Sequence, residues 1–192
     1  MTHNSKFARL NPSRSPPTPK QYREFNCVVD WSPSIQALAE SLAQRTTEAI
    51  TALASIHDFV NAFIRNGDLA IAPSTLLESR MTPASRVLRK HMVSCGTVTT
   101  LSAALLRSQG HAVKLVHGTY RGSDHAWLEV WDTKWHRWLP FDHMESDRPG
   151  DALKPGHRKL AECADWSEIR ALLVEAQKRY TPPASQRIQP MQ

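Results

Sequence analysis

The apolar residues of this chain change their spacing at Gly110, and that change is the strongest constraint on its fold. Before Gly110 they recur every three or four residues, which predicts a helix over residues 96–108 that Gly110 ends. After Gly110 they recur every second residue, as in half-buried strands. The helical segment opens with β-branched residues, Thr97 to Thr100, which are weak helix formers. We therefore expect this helix to lie buried, where packing decides its structure.

Three strand segments follow the helix along the chain. They read "AVKLVHGTY" at residues 112–120, "HAWLEVW" at 125–131 and "WHRWLPFD" at 135–142. Short loops join them, which predicts an antiparallel meander. Alternation in the middle strand puts two sets of side chains on opposite faces: Ala126, Leu128 and Val130 on one, His125, Trp127 and Glu129 on the other.

Helical periodicity also covers residues 33–66, with Ser32 as a candidate N-cap and Pro33 as the first helical residue. One long helix fits this pattern, and so do two shorter helices joined near Thr46–Thr47. Gly67 is placed to form the left-handed end of the segment.

Two more helices are indicated, one on each side of the strands. A short one is expected from Pro83 to Arg89, with Thr82 as its cap. The last begins with a capping box, Asp165 and Glu168, and its apolar stripe is Trp166, Ile169, Leu172, Leu173 and Ala176. Helices, a sheet and a final helix together predict an α+β domain.

The ends of the chain differ in composition from its middle. Residues 1–30 form a basic, Pro-rich segment that we expect to be disordered, residues 31–180 the folded domain, and residues 181–192 a second disordered tail. The first segment supplies much of the net charge of +6 but carries few aromatic residues, so nucleic-acid binding is not expected. Apolar runs are too short for a membrane span, and no secretory signal is present, so we expect a cytoplasmic protein.

Three cysteines, Cys27, Cys95 and Cys163, form no closely spaced pair, which excludes zinc-ribbon and thioredoxin-type motifs. Cys95 stands at the start of the predicted central helix, and the unpaired N–H groups and positive dipole end of a helix favour a thiolate. Gly96 leaves the sulfur uncrowded. The position suits a nucleophile, and the backbone N–H of Cys95 is a candidate donor to a tetrahedral oxyanion.

A histidine and a carboxylate are predicted to meet at one end of the sheet. If the second hairpin loop is short, residues whose numbers sum to 267 face each other, which pairs His125 with Asp142 and Glu129 with Trp138. An imidazole beside a thiol can accept its proton, and a carboxylate on the far ring nitrogen fixes the tautomer. Each residue alone has a plainer interpretation: a small buried hydrophobe for Cys95, a core or surface histidine for His125, a strand-end turn for Asp142.

These segments resemble the core of the transglutaminase-like cysteine hydrolases over residues 84–143. That family has a cysteine opening a helix, here "VSCGTVTTL", a strand opening "HAWxEV", here "HAWLEVW", and a strand closing on Asp, here "WHRWLPFD". The resemblance implies Cys95 as nucleophile, His125 as base and Asp142 as the orienting acid. It also implies a papain-like α+β fold in which the cysteine helix packs on a small antiparallel sheet.

The expected activity is hydrolysis of an amide in a peptide or protein through an acyl-enzyme, without a cofactor or metal. A peptidase, an isopeptidase and a side-chain amidase all fit this expectation. The chain has no dense acidic loop of the kind that binds calcium, which disfavours calcium-dependent crosslinking. Asp124 and Trp127 are candidate substrate-binding residues, although aromatic packing within the sheet is the plainer role for Trp127. The alternatives are a catalytically silent binding module of the same fold, and acyl or amine transfer. The oligomeric state is left open.

Overall fold

The computed structural model describes residues 20–43, 48–66 and 70–179. Helices and strands follow in this order: α1 Pro33–Leu42, α2 Ala49–Arg65, α3 Leu76–Met81, α4 Ala84–Lys90, α5 Cys95–Ser108, β1 Val113–Tyr120, β2 Ser123–Asp132, β3 Arg137–Phe141, β4 His157–Cys163 and α6 Arg170–Gln177. Short 3-10 turns cover Lys20–Arg23 and Trp166–Ile169. The strands form one antiparallel sheet in the order β3-β2-β1-β4, and the α+β architecture agrees with the sequence-based expectation.

Helix α5 is the centre of the domain. Every residue from Gly96 to Arg107 is buried, and the helix packs on β1 and β2 as well as on α1 to α4. The sheet presents Ala126, Leu128 and Val130 to the same core, as alternation predicted. Burial on all sides explains how a segment rich in β-branched residues stays helical.

The first helical region consists of two helices, which confirms the second of the two interpretations. The Ser32 hydroxyl accepts the Ile35 N–H, and Pro33 opens α1, as predicted. The predicted junction at Thr46–Thr47 and the predicted left-handed end at Gly67 lie outside the described residues.

Helix α3 was not anticipated, and its presence corrects the role assigned to Thr82. The Thr82 hydroxyl donates to the carbonyl of Glu78 at 2.6 Å, so it closes α3 and is not available to cap α4. Helix α4 starts at Ala84 after Pro83. Its first turn is held instead by Asp30, whose carboxylate accepts the backbone N–H and the hydroxyl of Ser85.

The register between β2 and β3 differs by two residues from the prediction. Glu129 faces Pro140, whereas Trp138 faces Trp131. The cause is a longer turn: the Asp132 carboxylate accepts the N–H groups of Lys134 and Trp135, which keeps Trp135 out of the strand. An even shift leaves every side chain on its predicted face, because strand side chains alternate with a period of two.

The folded part also begins earlier than residue 31. Val28 and Val29 are buried, and both of their N–H groups donate to the Asp165 carboxylate, which itself opens the last helical segment in the predicted capping box with Glu168. That segment is a 3-10 turn followed by α6, and Leu172 of its predicted stripe is exposed while Leu173 is buried. The remaining parts of the two predicted tails lie outside the described residues.

Strand β4 was also missed, so the sheet has four strands where three were expected. In the part of the chain that the structure describes, no helix has the length and apolar character needed to cross a bilayer.

Candidate active site

Cys95 is the first residue of α5. Ser94 is the N-cap, and it forms a reciprocal capping box in which its hydroxyl accepts the Thr97 N–H and the Thr97 hydroxyl accepts the Ser94 N–H. As the first helical residue, Cys95 has a backbone N–H without an intrahelical acceptor. The capping box fixes the helix start, and with it the direction of the sulfur.

His125 and Asp142 meet as the sequence predicted, although through a different register. Nε2 of His125 lies 2.5 Å from Oδ2 of Asp142, and both side chains are buried. Phe141 is the last paired residue of β3, so Asp142 stands just beyond the ladder and reaches back to His125 near the start of β2. The other oxygen of Asp142 accepts the N–H of Met144, which holds the carboxylate in place.

The cysteine and the histidine shift each other's pKa. Burial alone would raise the pKa of the Cys95 thiol, but the charge of Arg80 and the interaction with His125 outweigh it, lowering the pKa to about 7. Burial alone would lower the pKa of His125, but the interactions with Asp142 and Cys95 raise it to about 10. Both shifts favour transfer of the thiol proton to the imidazole, which gives a thiolate and an imidazolium.

The two ring nitrogens of His125 differ in their surroundings. Nε2 binds Asp142, so Nδ1 is the nitrogen left to act on the Cys95 thiol, and each of these two residues shifts the pKa of the other. A thiol, an imidazole and a carboxylate in this order are the groups that thiol nucleophiles use.

Arg80 is a component of the site that sequence analysis missed. Its guanidinium is buried, with Nη1 3.5 Å from the Cys95 sulfur and Nη2 2.5 Å from Oδ1 of Asp124. Arg80 belongs to α3, a six-residue helix that is too short to give a periodic signal. Nothing in the sequence links it to Cys95, fifteen residues further on.

His157 is a second missed component. It lies on β4, and its Nε2 is 3.0 Å from the same oxygen of Asp142 that binds His125. Its Nδ1 is 2.7 Å from the carbonyl of Lys154. Both of its ring nitrogens therefore lie within hydrogen-bond distance of an oxygen.

The two predicted substrate-binding residues are placed differently. Asp124 borders the cleft, but one of its oxygens binds Arg80 and the other lies 3.5 Å from Nδ1 of His117. Trp127 is 2% exposed and packs against Gly118 and His157. The substrate-binding role proposed for Trp127 is therefore corrected to sheet packing, since its ring has almost no surface left to touch a ligand.

A cleft of about 980 Å³ opens above the sulfur. Cys95, His125, Arg80 and Asp124 form its polar floor. Its rim is partly apolar, with Leu76, Val93, Met144 and Leu160, of which Met144 and Leu160 are exposed.

His125, Asp142 and His157 also bring three metal-ligand atoms within 4.8 Å of one another. Their N···O separations of 2.5 and 3.0 Å are those of hydrogen bonds, which account for the cluster without an ion. The expectation of a metal-free site stays a prediction.

Comparison with solved structures finds the same fold in a protein of Cytophaga hutchinsonii described as a candidate cysteine protease. The two chains are 18% identical, with a TM-score of 0.56 over 77% of this chain and 47% of that one. The periplasmic domain of TgpA from Pseudomonas aeruginosa is also similar, at 20% identity and a TM-score of 0.46, over 65% of this chain and 46% of that one. This chain thus spans about half the length of either structure.

A comparison with curated proteins gives no match. The sequence itself matches the transglutaminase-like superfamily over residues 36–143, more than half of the chain and the part that holds Cys95, His125 and Asp142. The protein belongs to the transglutaminase-like superfamily.

Proposed function

We propose that the protein is a thiol-dependent hydrolase of amide bonds in peptides or proteins, acting through an acyl-enzyme on Cys95. The observation that carries this proposal is the arrangement of Cys95, His125 and Asp142. The sulfur lies at a helix N-terminus, Arg80 and His125 lower its pKa to about 7, and His125 binds the buried carboxylate of Asp142.

The geometry assigns each group a step. The sulfur attacks the amide carbon, and the C=O electron pair moves onto the oxygen. Collapse of this intermediate breaks the C–N bond while His125 gives its proton to the departing amine, leaving a thioester on Cys95. Water then attacks the thioester carbon with His125 as base; the C–S bond breaks, the carboxylic acid product leaves and the sulfur returns to its thiolate. Asp142 holds the imidazole in orientation throughout.

The cleft supports a polypeptide segment as substrate. Its volume of about 980 Å³ lies at the upper end of the range for ligand sites, and it is open along the apolar rim beside Cys95. An extended segment laid across this rim would bring a backbone or side-chain amide onto the sulfur.

The decisive experiment is mass spectrometry of the protein after exposure to a library of peptide amides. We expect an acyl adduct on Cys95 and new amine products, both lost in Cys95→Ala. The matched control is Cys27→Ala, which removes an exposed cysteine and should change neither. If the acyl group is found on an added amine and not on water, the activity is acyl transfer and not hydrolysis. The absence of an adduct under any condition would refute the proposal.

Alkylation by iodoacetamide provides a test that needs no substrate. Since the pKa of Cys95 is about 7, its labelling rate should rise with pH and level off soon above neutrality. In His125→Ala the inflection should move to higher pH, because the imidazolium no longer stabilises the thiolate. Equal slow labelling of Cys27 and Cys95 at pH 7 would contradict the assignment.

A further inference from the structure

Arg80 places a buried cation at the positive end of α5. Nη1 lies 3.5 Å from the Cys95 sulfur and 3.0 Å from the Ser79 hydroxyl, while Nη2 binds Asp124 and the guanidinium carbon lies 5.5 Å from the centre of the Trp166 ring. The Arg80 side chain is only 1% exposed, yet it borders the cleft. It is therefore fixed in place and faces the reacting atoms.

The backbone is shaped to admit this guanidinium. A Cβ at Gly96 would lie 2.3 Å from Nη1 of Arg80 and 2.7 Å from the carbonyl oxygen of Ser79, closer than any side chain could tolerate. Glycine is therefore needed at position 96, because the absence of a Cβ lets Arg80 lie against the first turn of α5. Asp124, in turn, holds the far side of the guanidinium.

Asp124 pairs with Nη2, so the groups that face the sulfur are Nη1 and the helix N-terminus, which carries a partial positive charge. Both favour an anion at this point. Before reaction that anion is the Cys95 thiolate. Once the sulfur has bonded to the carbonyl carbon it is no longer charged, and the negative charge has moved to the carbonyl oxygen.

We propose that Arg80 is the side-chain donor of the oxyanion hole, with Asp124 as the residue that positions it. The Nη1–H that lies against the sulfur in the resting protein donates to the oxyanion, which forms on the carbon bonded to that sulfur, alongside the backbone N–H of Cys95. The charge on Arg80 thus stabilises first the nucleophile and then the intermediate, without any rearrangement. This inference rests on the proposed acylation of Cys95.

Two reagents separate the two roles. Iodoacetamide alkylates the sulfur by direct displacement of iodide, so its rate reports the thiolate and involves no oxyanion. p-Nitrophenyl acetate acylates the sulfur through a tetrahedral oxyanion, which expels p-nitrophenolate and leaves an acetyl thioester. The ratio of acylation rate to alkylation rate therefore measures stabilisation of the oxyanion alone.

In Arg80→Met the alkylation rate at neutral pH should fall because the thiolate loses its cation, and the acylation rate should fall by about a further 10²-fold. Arg80→Lys keeps the charge but cannot contact the sulfur and Asp124 together. Its alkylation rate should stay within about threefold of the parent, while acylation falls at least about tenfold. Circular dichroism identifies folded variants, and the lysine variant serves if the methionine variant does not fold.

The matched control is Arg89→Met, which removes an exposed arginine of α4 outside the lining of the cleft, and it should leave the ratio unchanged. Asp124→Asn should lower the ratio less than Arg80→Met does, because the cation stays but loses its anchor. Equal losses of both rates in Arg80→Met and Arg80→Lys would overturn the role in the oxyanion hole. Absence of any acylation in the parent protein would instead refute the proposed function.

Discussion

Two pairs of histidines lie on either side of the strand end that carries Asp142, and they differ in whether they bind its carboxylate. His125 and His157 bind the Asp142 carboxylate, and the pKa of His125 is raised to about 10. His57 and His143 lie on the other side, with ring centres 5.7 Å apart, and burial lowers the pKa of both, that of His143 to about 3. Neither ring nitrogen of His143 has a hydrogen-bond partner among the described residues.

The two environments follow from the alternation of side chains at the end of β3. Phe141 points into the core, Asp142 into the site and His143 back toward the core, where its ring lies edge-on to Phe141. Desolvation acts on both His125 and His143, and the hydrogen-bonded carboxylate of Asp142 reverses its effect at His125.

The largest expected effect comes from removing that carboxylate. In Asp142→Ala the imidazolium of His125 loses its stabilising partner, so the acylation rate of Cys95 should fall by about 10²-fold or more. The inflection of its alkylation profile should move above pH 7, because a less basic His125 holds the thiolate less well. Measurement of both rates between pH 5 and pH 10 tests this, and a loss below about threefold would contradict the role of Asp142.

The next largest effect concerns His143 and is expected in the free energy of unfolding. The folded-state pKa of His143 is depressed, so its contribution to stability is fully present above its unfolded value of 6.5 and is lost as pH falls toward the folded pKa of about 3. At pH 5 the parent should have lost about 2 kcal/mol of unfolding free energy from this residue. His143→Phe, which fills the same apolar site, should remove that loss.

Urea unfolding at pH 5 and pH 7.5 provides the measurement. The difference between the two pH values should shrink in His143→Phe and persist in His91→Phe, a control that alters a partly buried histidine stacked on Phe63 elsewhere in the fold. An unchanged pH dependence in His143→Phe would show that His143 is not the group that resists protonation.

The smallest effect is expected at His157. It anchors the carboxylate without contacting the sulfur, so His157→Ala should lower the acylation rate by only about three- to tenfold. His157→Gln retains an N–H donor and should recover part of this loss. If both variants lost as much activity as Asp142→Ala, His157 would belong to the reacting chain itself.

The sequence predicted those parts of the molecule whose signals are local. The apolar stripe of α5, the alternation in β2 and the capping box at Asp165 each follow from spacing within one element, and all three are present. Cys95, His125 and Asp142 were named on the same basis, because each opens or closes a strongly patterned element.

The missed residues lie on elements without such patterns. Strand β4 has mostly exposed or half-buried side chains, so its sequence does not alternate and His157 was not seen as part of a strand. Helix α3 is only six residues long, and Arg80 resembles any other basic residue until its burial is known. The β2–β3 register was set by an Asp132 turn whose length the flanking strands do not reveal.

Because α5 is enclosed along nearly its whole length, we expect Cys95 to be attached to the last part of the molecule that would loosen. Local fluctuations of the outer elements should leave the sulfur beside His125 and Arg80. Separating the sulfur from these two residues requires the domain to open as one cooperative unit. Cys163, buried in the same core, should then become reactive at the moment when Cys95 loses its special reactivity. The two thiols together would report the native and the opened state within a single chain.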